Sequence, residues 1–233
     1  MKRGKTMEDI RHGEGKEEST NCVIIGDIKR SRDLDDWQNI FRELEKALKE
    51  VNKRFSDVIF VTFAPTVGDE FQGAIKTPQK AFEVCNFIKS KLQIEIYYGI
   101  GVGNIEKPVA REIGMRGNAF YRARDALQKC KKHDRKILIK SSDTANLTDD
   151  IINMVLHFVE VLENSWTKRQ QEVAEYFRLH PRDTYEQLGK HFGLRKQSIS
   201  DVLIAANWKV IAEGNNLVQK LLKEMSWPAD TVG

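Results

Sequence analysis

Two aspartates carry the chemistry this sequence offers. Asp27 follows the apolar run Cys22-Val23-Ile24-Ile25-Gly26, and Asp69 sits in Val67-Gly68-Asp69-Glu70-Phe71 between two further strand-like runs. Carboxylates held at a strand end and at a neighbouring hairpin can share a divalent cation. Hard oxygen ligands suit magnesium, which completes its shell with water and phosphate oxygens. Asp27 and Asp69 are therefore the expected metal ligands of a nucleotide–magnesium site. Taken singly, each is an ordinary turn or capping residue; the reading rests on the pair. Gly26 and Gly68 would let backbone or phosphate approach closely. The backbone N–H groups of Ile28, Lys29, Arg30 and Ser31, entering a helix, offer a phosphate cradle. Glu70 is a possible third ligand or base, although strand alternation turns it away from Asp69.

A second group lies in Gly117-Asn118-Ala119-Phe120-Tyr121-Arg122-Ala123-Arg124-Asp125-Ala126-Leu127. Ala119, Ala123 and Ala126 form a small-residue stripe at helical spacing that allows close packing on a sheet. Arg124, beside the stripe, can reach a phosphate or pair structurally with a carboxylate; Arg122 reads as a solvated charge. The expected nucleotide contacts are thus Ile28, Lys29, Arg30, Ser31, Gly68, Glu70 and Arg124. If the chain is an enzyme, its catalytic candidates are Asp27, Asp69 and Arg124. The five histidines are scattered without ligand spacing. There is no Walker phosphate loop and no Ser–His–Asp set.

The elements that must position these residues follow from periodicity. Strands are expected at 22–28, 58–63, 70–75, 94–102 and 136–139. Helices are expected at 34–55, capped by Ser31 or Asp33, at 78–92, and from Gly117 to about 131. This order gives an α+β fold: a ferredoxin-like βαββαβ palm domain with an added helix and strand, followed by an all-α domain. The division is a disordered polar tail over 1–20, the palm over 21–145, a connecting helix over 146–166, and a helical domain over 167–233.

The helical domain contains Thr184–Ala206, TYEQLGKHFGLRKQSISDVLIAA. A helix-turn-helix needs a small residue at its helix crossing, glycine in its turn and apolar anchors on both helices. Gly189 and Gly193 meet the first two needs, and Leu188, Leu194, Ile199, Val202 and Leu203 the third. Thr184 with Gln187 forms a capping-box pattern. The second helix would offer Arg195, Lys196, Gln197, Ser198 and Ser200 to the major groove of double-stranded DNA, with Asp183 and Asp201 opposing phosphate contact. A bundle that only packs or dimerises has the same pattern. Residues 207–211 read as a small wing or packing segment.

The composition bounds the rest. A net charge of +4 permits nucleic-acid binding without demanding it. Three cysteines without metal spacing suit a reduced, cytoplasmic protein. No apolar run is long enough to span a bilayer, and the N-terminus lacks the apolar core of a secretory signal.

These motifs resemble two families. Asp27, the Gly68-Asp69 hairpin, the strand Tyr98-Gly99-Ile100-Gly101-Val102-Gly103 and the helix opening at Gly117 resemble the palm-type nucleotidyl cyclases. Val67–Phe71 also resembles the diguanylate cyclase hairpin, with Val67 in place of its first glycine. The class III cyclase helix carries an Asn and, four residues on, an Arg that stabilises the transition state; Tyr121 and Asp125 stand there here. Pro65 stands where that family has a base-reading Lys. The second resemblance, from Cys22 to about Lys223, is to the SatD family. It rests on Gly26-Asp27-Ile28 with Ser31, Gly68-Asp69-Glu70-Phe71-Gln72, Gly99-Ile100-Gly101, the Gly117–Ala126 helix and the C-terminal motif. The resemblance implies a link to stress-responsive operons. Together these features lead to the expectation of a regulator that senses a nucleotide with magnesium and reads DNA as a homodimer. The alternatives are an active magnesium-dependent nucleotidyl cyclase or nucleotide hydrolase, and a protein–protein adaptor with vestigial sites.

Overall fold

The computed structural model describes residues 20–33, 35–92, 94–106 and 116–225. Apart from Thr20, the expected polar tail lies outside them. The chain is α+β, with one mixed five-stranded sheet and eight α-helices. The strands are β1 (Asn21–Ile28), β2 (Ile59–Pro65), β3 (Glu70–Ile75), β4 (Ile96–Gly103) and β5 (Ile137–Lys140), in the spatial order β2-β3-β1-β4-β5. β1 lies antiparallel between β3 and β4, and β5 joins β4 in parallel.

Every residue of β1 is buried because both sheet faces are covered. Cys22, Ile24 and Ile28 face the main core, formed with α1 (Trp37–Arg54) and α2 (Ala81–Leu92). Val23 and Ile25 face α3 (Asn118–His133). The α3 side is tight: a Cβ at Gly101 would fall 1.9 Å from the Ala119 carbonyl oxygen, and one at Gly99 would fall 2.2 Å from that of Ala123. The alanine stripe and these glycines are the two halves of that contact. The three cysteines are free and buried; burial pushes the Cys130 thiol up to about 12.

Several local expectations need correction. α1 is capped by Asp36, which accepts a hydrogen bond from the Asn39 amide, while Ser31–Asp33 forms a 3-10 turn. Ser31 cannot cap α1 because its hydroxyl donates to the Asp69 carboxylate instead. Gly26 makes room for an aromatic ring, not for phosphate: a Cβ there would fall 2.1 Å from Phe71 Cζ. Arg122 is mostly buried, donating to the Val102 carbonyl and twice to the Asp143 carboxylate. Residues 207–211 form no wing; Asn207 turns with φ 53° directly into another helix.

α4 (Leu147–Asn164) packs beside β5, where the Asn153 side chain both donates to and accepts from the Ile139 backbone. α5 (Lys168–Leu179), α6 (Tyr185–Phe192) and α7 (Lys196–Ala205) enclose a separate small core of Val173, Ala174, Leu188, Ile199 and Leu203. Capping boxes start α5 at Thr167–Gln170 and α6 at Thr184–Gln187. Gly193 turns the chain between α6 and α7 with φ 66°. Gly189 lies so close to that turn that a Cβ would fall 2.6 Å from the Leu194 carbonyl oxygen.

α8 (Trp208–Met225) begins against this small core with Trp208 and ends in the main core with Val218 and Leu222. The last helix of the expected helical domain therefore completes the α/β unit. A charged knot also joins the two. Lys89 of α2 lies 3.0 Å from Glu175 and 3.8 Å from Glu163. Arg178 pairs with Glu163 and lies over the rings of Trp166 and Trp208.

Candidate functional site

Where β1 and β3 run antiparallel, Asp27 and Glu70 are cross-strand partners. Their side chains therefore lie on the same sheet face, which is the face covered by α3. Two cations from α3 meet them. Lys131 Nζ lies 2.5 Å from Asp27 Oδ2 and 3.6 Å from Glu70 Oε1. Arg124 lies 2.5 Å from Glu70 Oε2, over the Phe120 ring. Asp69 enters from the hairpin tip, fixed by the Ser31 hydroxyl and by its own carbonyl, which accepts from the Ile28 amide at 3.2 Å.

Among the described residues, three carboxylates thus gather around two cations. Asp27 registers the shortfall. Its side chain is only 7 % exposed. Burial pushes its carboxyl above its usual value, Lys131 offsets this only in part, and the charges of Asp69 and Glu70 add to the rise.

The expected residues are brought together unequally. Asp27, Asp69, Glu70, Arg124 and Ser31 converge. Gly68 holds the hairpin with φ 71° and has open space where a side chain would be. The phosphate cradle is partly committed elsewhere. The Ile28 amide bonds to Asp69, and the Lys29 amide to the Glu95 carbonyl at 2.9 Å. Ile28's side chain is in the main core. Lys29's ammonium is held 2.7 Å from Asp134 and 3.6 Å from Glu95. Arg30 is exposed at φ 53°, free of sheet pairing. Lys131 is the residue that sequence reasoning missed. It lies seven positions after Arg124, two helical turns along the same face, so the spacing carried the signal.

The cyclase-type positions are otherwise occupied. Tyr121 points to solvent. Asp125 pairs with Lys140 at 2.6 Å and Lys129 at 3.3 Å, which hold its carboxyl below its usual value. At the acid cluster Asp27 is buried, while Asp69, Glu70, Arg124 and Lys131 are partly exposed. A cleft of about 560 Å³ lies elsewhere, between α2, α5 and α8, lined by Arg54, Phe82, Phe87, Phe177, Arg178 and Trp208 among others.

Among the described residues, no three His, Cys, Asp or Glu side chains are gathered closely enough to cage an ion alone. Two carboxylates that leave the remaining positions to water and phosphate oxygens still fit magnesium.

On α7, Lys196 and Gln197 are exposed with Arg195 just before them, and Ser198 and Ser200 are half-buried. Gln197 donates to Asp201 at 2.9 Å, and Ile204 is exposed. The outward face of α7 thus carries one acid alongside the expected DNA contacts.

No described helix is long and apolar enough to cross a membrane. Among proteins of curated function, none matches this chain. Among solved structures, a bacterial light-regulated adenylyl cyclase aligns with 52% of this chain and 75% of its own at 11% identity and a TM-score of 0.41, a likeness too slight to carry an argument. The SatD family model matches residues 21–222, so the chain belongs to the SatD family.

Proposed function

We propose that the protein is a nucleotide- and magnesium-sensing DNA-binding regulator. In this reading the sheet and its first three helices are a ferredoxin-like palm that receives the nucleotide. α6 and α7 are a helix-turn-helix that reads DNA, and two chains pair on two half-sites. The observation that carries the sensing half is the under-compensated acid cluster of Asp27, Asp69 and Glu70 at the end of the central strand. Asp27 and Asp69 would hold magnesium, which would neutralise triphosphate oxygens there. Arg124 lies within the same cluster to meet phosphate, and the Ser31 hydroxyl holds Asp69 beside it. The turn geometry of Gly189 and Gly193 and the exposure of Lys196 and Gln197 support the reading half.

Calorimetric titration with nucleoside triphosphates, with and without magnesium, tests the sensing half. Magnesium-dependent binding that falls at least tenfold in Asp27→Asn and Asp69→Asn is expected; equal binding by these variants would sink the proposal. A gel shift on DNA upstream of the protein's own gene tests the reading half. Lys196→Ala should weaken binding at every sequence and lower the salt slope by about 1. Absence of any shift would leave an adaptor as the better description.

A second reading, an active magnesium-dependent nucleotidyl cyclase or nucleotide hydrolase, is favoured by one observation: Arg124 meets the acid cluster through Glu70 at 2.5 Å. Tyr121, Asp125 and Pro65 weigh against the cyclase reaction, since losing one group that stabilises transition-state charge costs about 3 kcal/mol of barrier. Chromatography of each triphosphate after incubation separates the readings; a cyclic or hydrolysed product lost in Asp27→Asn would favour the enzyme.

A further inference from the structure

α4 has an apolar face that none of the described residues covers. Leu147, Ile151, Met154, Phe158 and Val161 are all exposed, by 42 to 74%. Their spacings are four, three, four and three residues. That is an unbroken a/d heptad seam on one side of an 18-residue helix. The opposite side of α4, with Ile152 and Leu156, is already spent on the main core. A solvated helix face has no use for this pattern, and the helix needs only one apolar side to stay docked.

α8 widens the seam. Its Gly214 lies against Val155 and Val159 of α4. Val210 and Leu217, four residues before and three after Gly214, are exposed along that edge. Seven of the ten exposed large apolar side chains among the described residues therefore belong to one surface. Together they present on the order of 700 Å², beyond the largest apolar patch of a typical monomer and close to the ~800 Å² per partner of a stable pair.

We propose that this surface is a homodimer interface in which α4 packs antiparallel against α4 of a second copy, with the two Met154 side chains at the centre. Three observations select a second copy over other occupants. A heptad seam is self-complementary, as a two-fold interface requires. Residues 1–19, the longest stretch outside the described residues, hold only Met1, Met7 and Ile10 as large apolar side chains, too few to cover it. The seam's border also pairs with itself: α4 carries no Lys or Arg, and its flank presents Asp150 and His157. Antiparallel packing about Met154 sets Asp150 of each copy beside His157 of the other; parallel packing would leave both without a charged counterpart. On the opposite flank, Val155 meets its own copy beside the apolar edge of α8.

This names the surface for the pairing proposed above, but it rests on the α4 seam and the α8 edge beside it, not on nucleotide or DNA binding. Sedimentation equilibrium at micromolar concentration should give twice the 26.8 kDa chain mass. Phe158→Glu, at an exposed position, should weaken association at least tenfold with unchanged circular dichroism and melting of the separated chains. Orientation is read by disulfide trapping, since the native cysteines are buried. Leu147→Cys chains mixed with Val161→Cys chains should crosslink, and Leu147→Cys alone should not. A monomeric wild type, an undiminished Phe158→Glu dimer, or crosslinking of Leu147→Cys alone would each overturn the proposal. Nucleotide titration of Phe158→Glu keeps the readings apart, because a monomer that still binds leaves the sensing proposal standing.

Discussion

Two charged clusters in this molecule use similar residues to opposite ends. In the knot between the α/β unit and the helical unit, Glu163 and Glu175 face Lys89 and Arg178. In the cluster at the end of β1, the ion pairs of Asp27 and Glu70 among the described residues are with Lys131 and Arg124, and Asp69 lies beside them. Burial by itself would push the Glu163 carboxyl up, yet Arg178, Lys89 and Lys136 outweigh it and hold the group below its usual value. Burial of Asp27 is not outweighed, and its carboxyl stays above its usual value. A balanced knot is a fastening. A cluster short of positive charge is strained in isolation and gains most from an added cation. Glu163 is thus held down by its neighbouring cations, whereas Asp27 is raised chiefly by its burial.

The largest effect should come from breaking the fastening. Arg178→Ala leaves Glu163 buried without its main partner and removes a cation from between two tryptophans. Urea unfolding should show a loss of about 3 kcal/mol. The pH dependence carries the same sign: with its folded value depressed, Glu163 stabilises the fold above the ordinary carboxylate range and loses that contribution as pH falls through the folded value. Glu163→Gln should flatten that part of the acid limb.

Asp27→Asn should act in reverse. A raised folded value means the ionised group opposes folding at neutral pH. The asparagine variant should therefore be as stable as wild type or more so at pH 7. That advantage should vanish as pH falls through the raised value and the native carboxyl takes up its proton. Magnesium should raise the melting temperature of wild type and not of this variant. A less stable Asp27→Asn at neutral pH would reassign the site to structure.

Lys131→Ala sharpens the contrast at smaller amplitude. Lys131 is 41% exposed, so its loss should cost well under ~1 kcal/mol. Because its ammonium competes for Asp27, magnesium alone should bind this variant a few-fold more tightly by titration. The smallest change belongs to the exposed pair Lys80–Glu83, where Lys80→Ala should shift stability by less than about 0.5 kcal/mol. That variant sets the baseline for the other four.

Much of this contrast was readable in one dimension. Strand runs with hydrophobic alternation, the Gly99/Gly101 pair with its alanine stripe, and the Thr184–Gln187 box are local signals with local consequences. The meeting of Asp27 with Glu70 followed from pairing two strands whose register the sequence does not print. Lys131 stands 104 residues from Asp27, so only the tertiary fold reveals its partner, although its helical phase with Arg124 was visible. Gly26 misled because a glycine that admits a ring and one that admits a phosphate look alike. α8 was not read as a helix at all, because residues 207–211 read as a wing or packing segment, and the main core that receives Val218 and Leu222 is distant in sequence.

That return of α8 has a consequence for synthesis. The ribosome finishes the sheet long before it makes Val218 and Leu222, so the nascent α/β unit waits with part of its core uncovered. That part of the core is sealed by α8, made after every other described helix. A cassette cut at residue 166 would leave that wound open, and a premature stop near the C-terminus should send an otherwise complete chain to proteolysis.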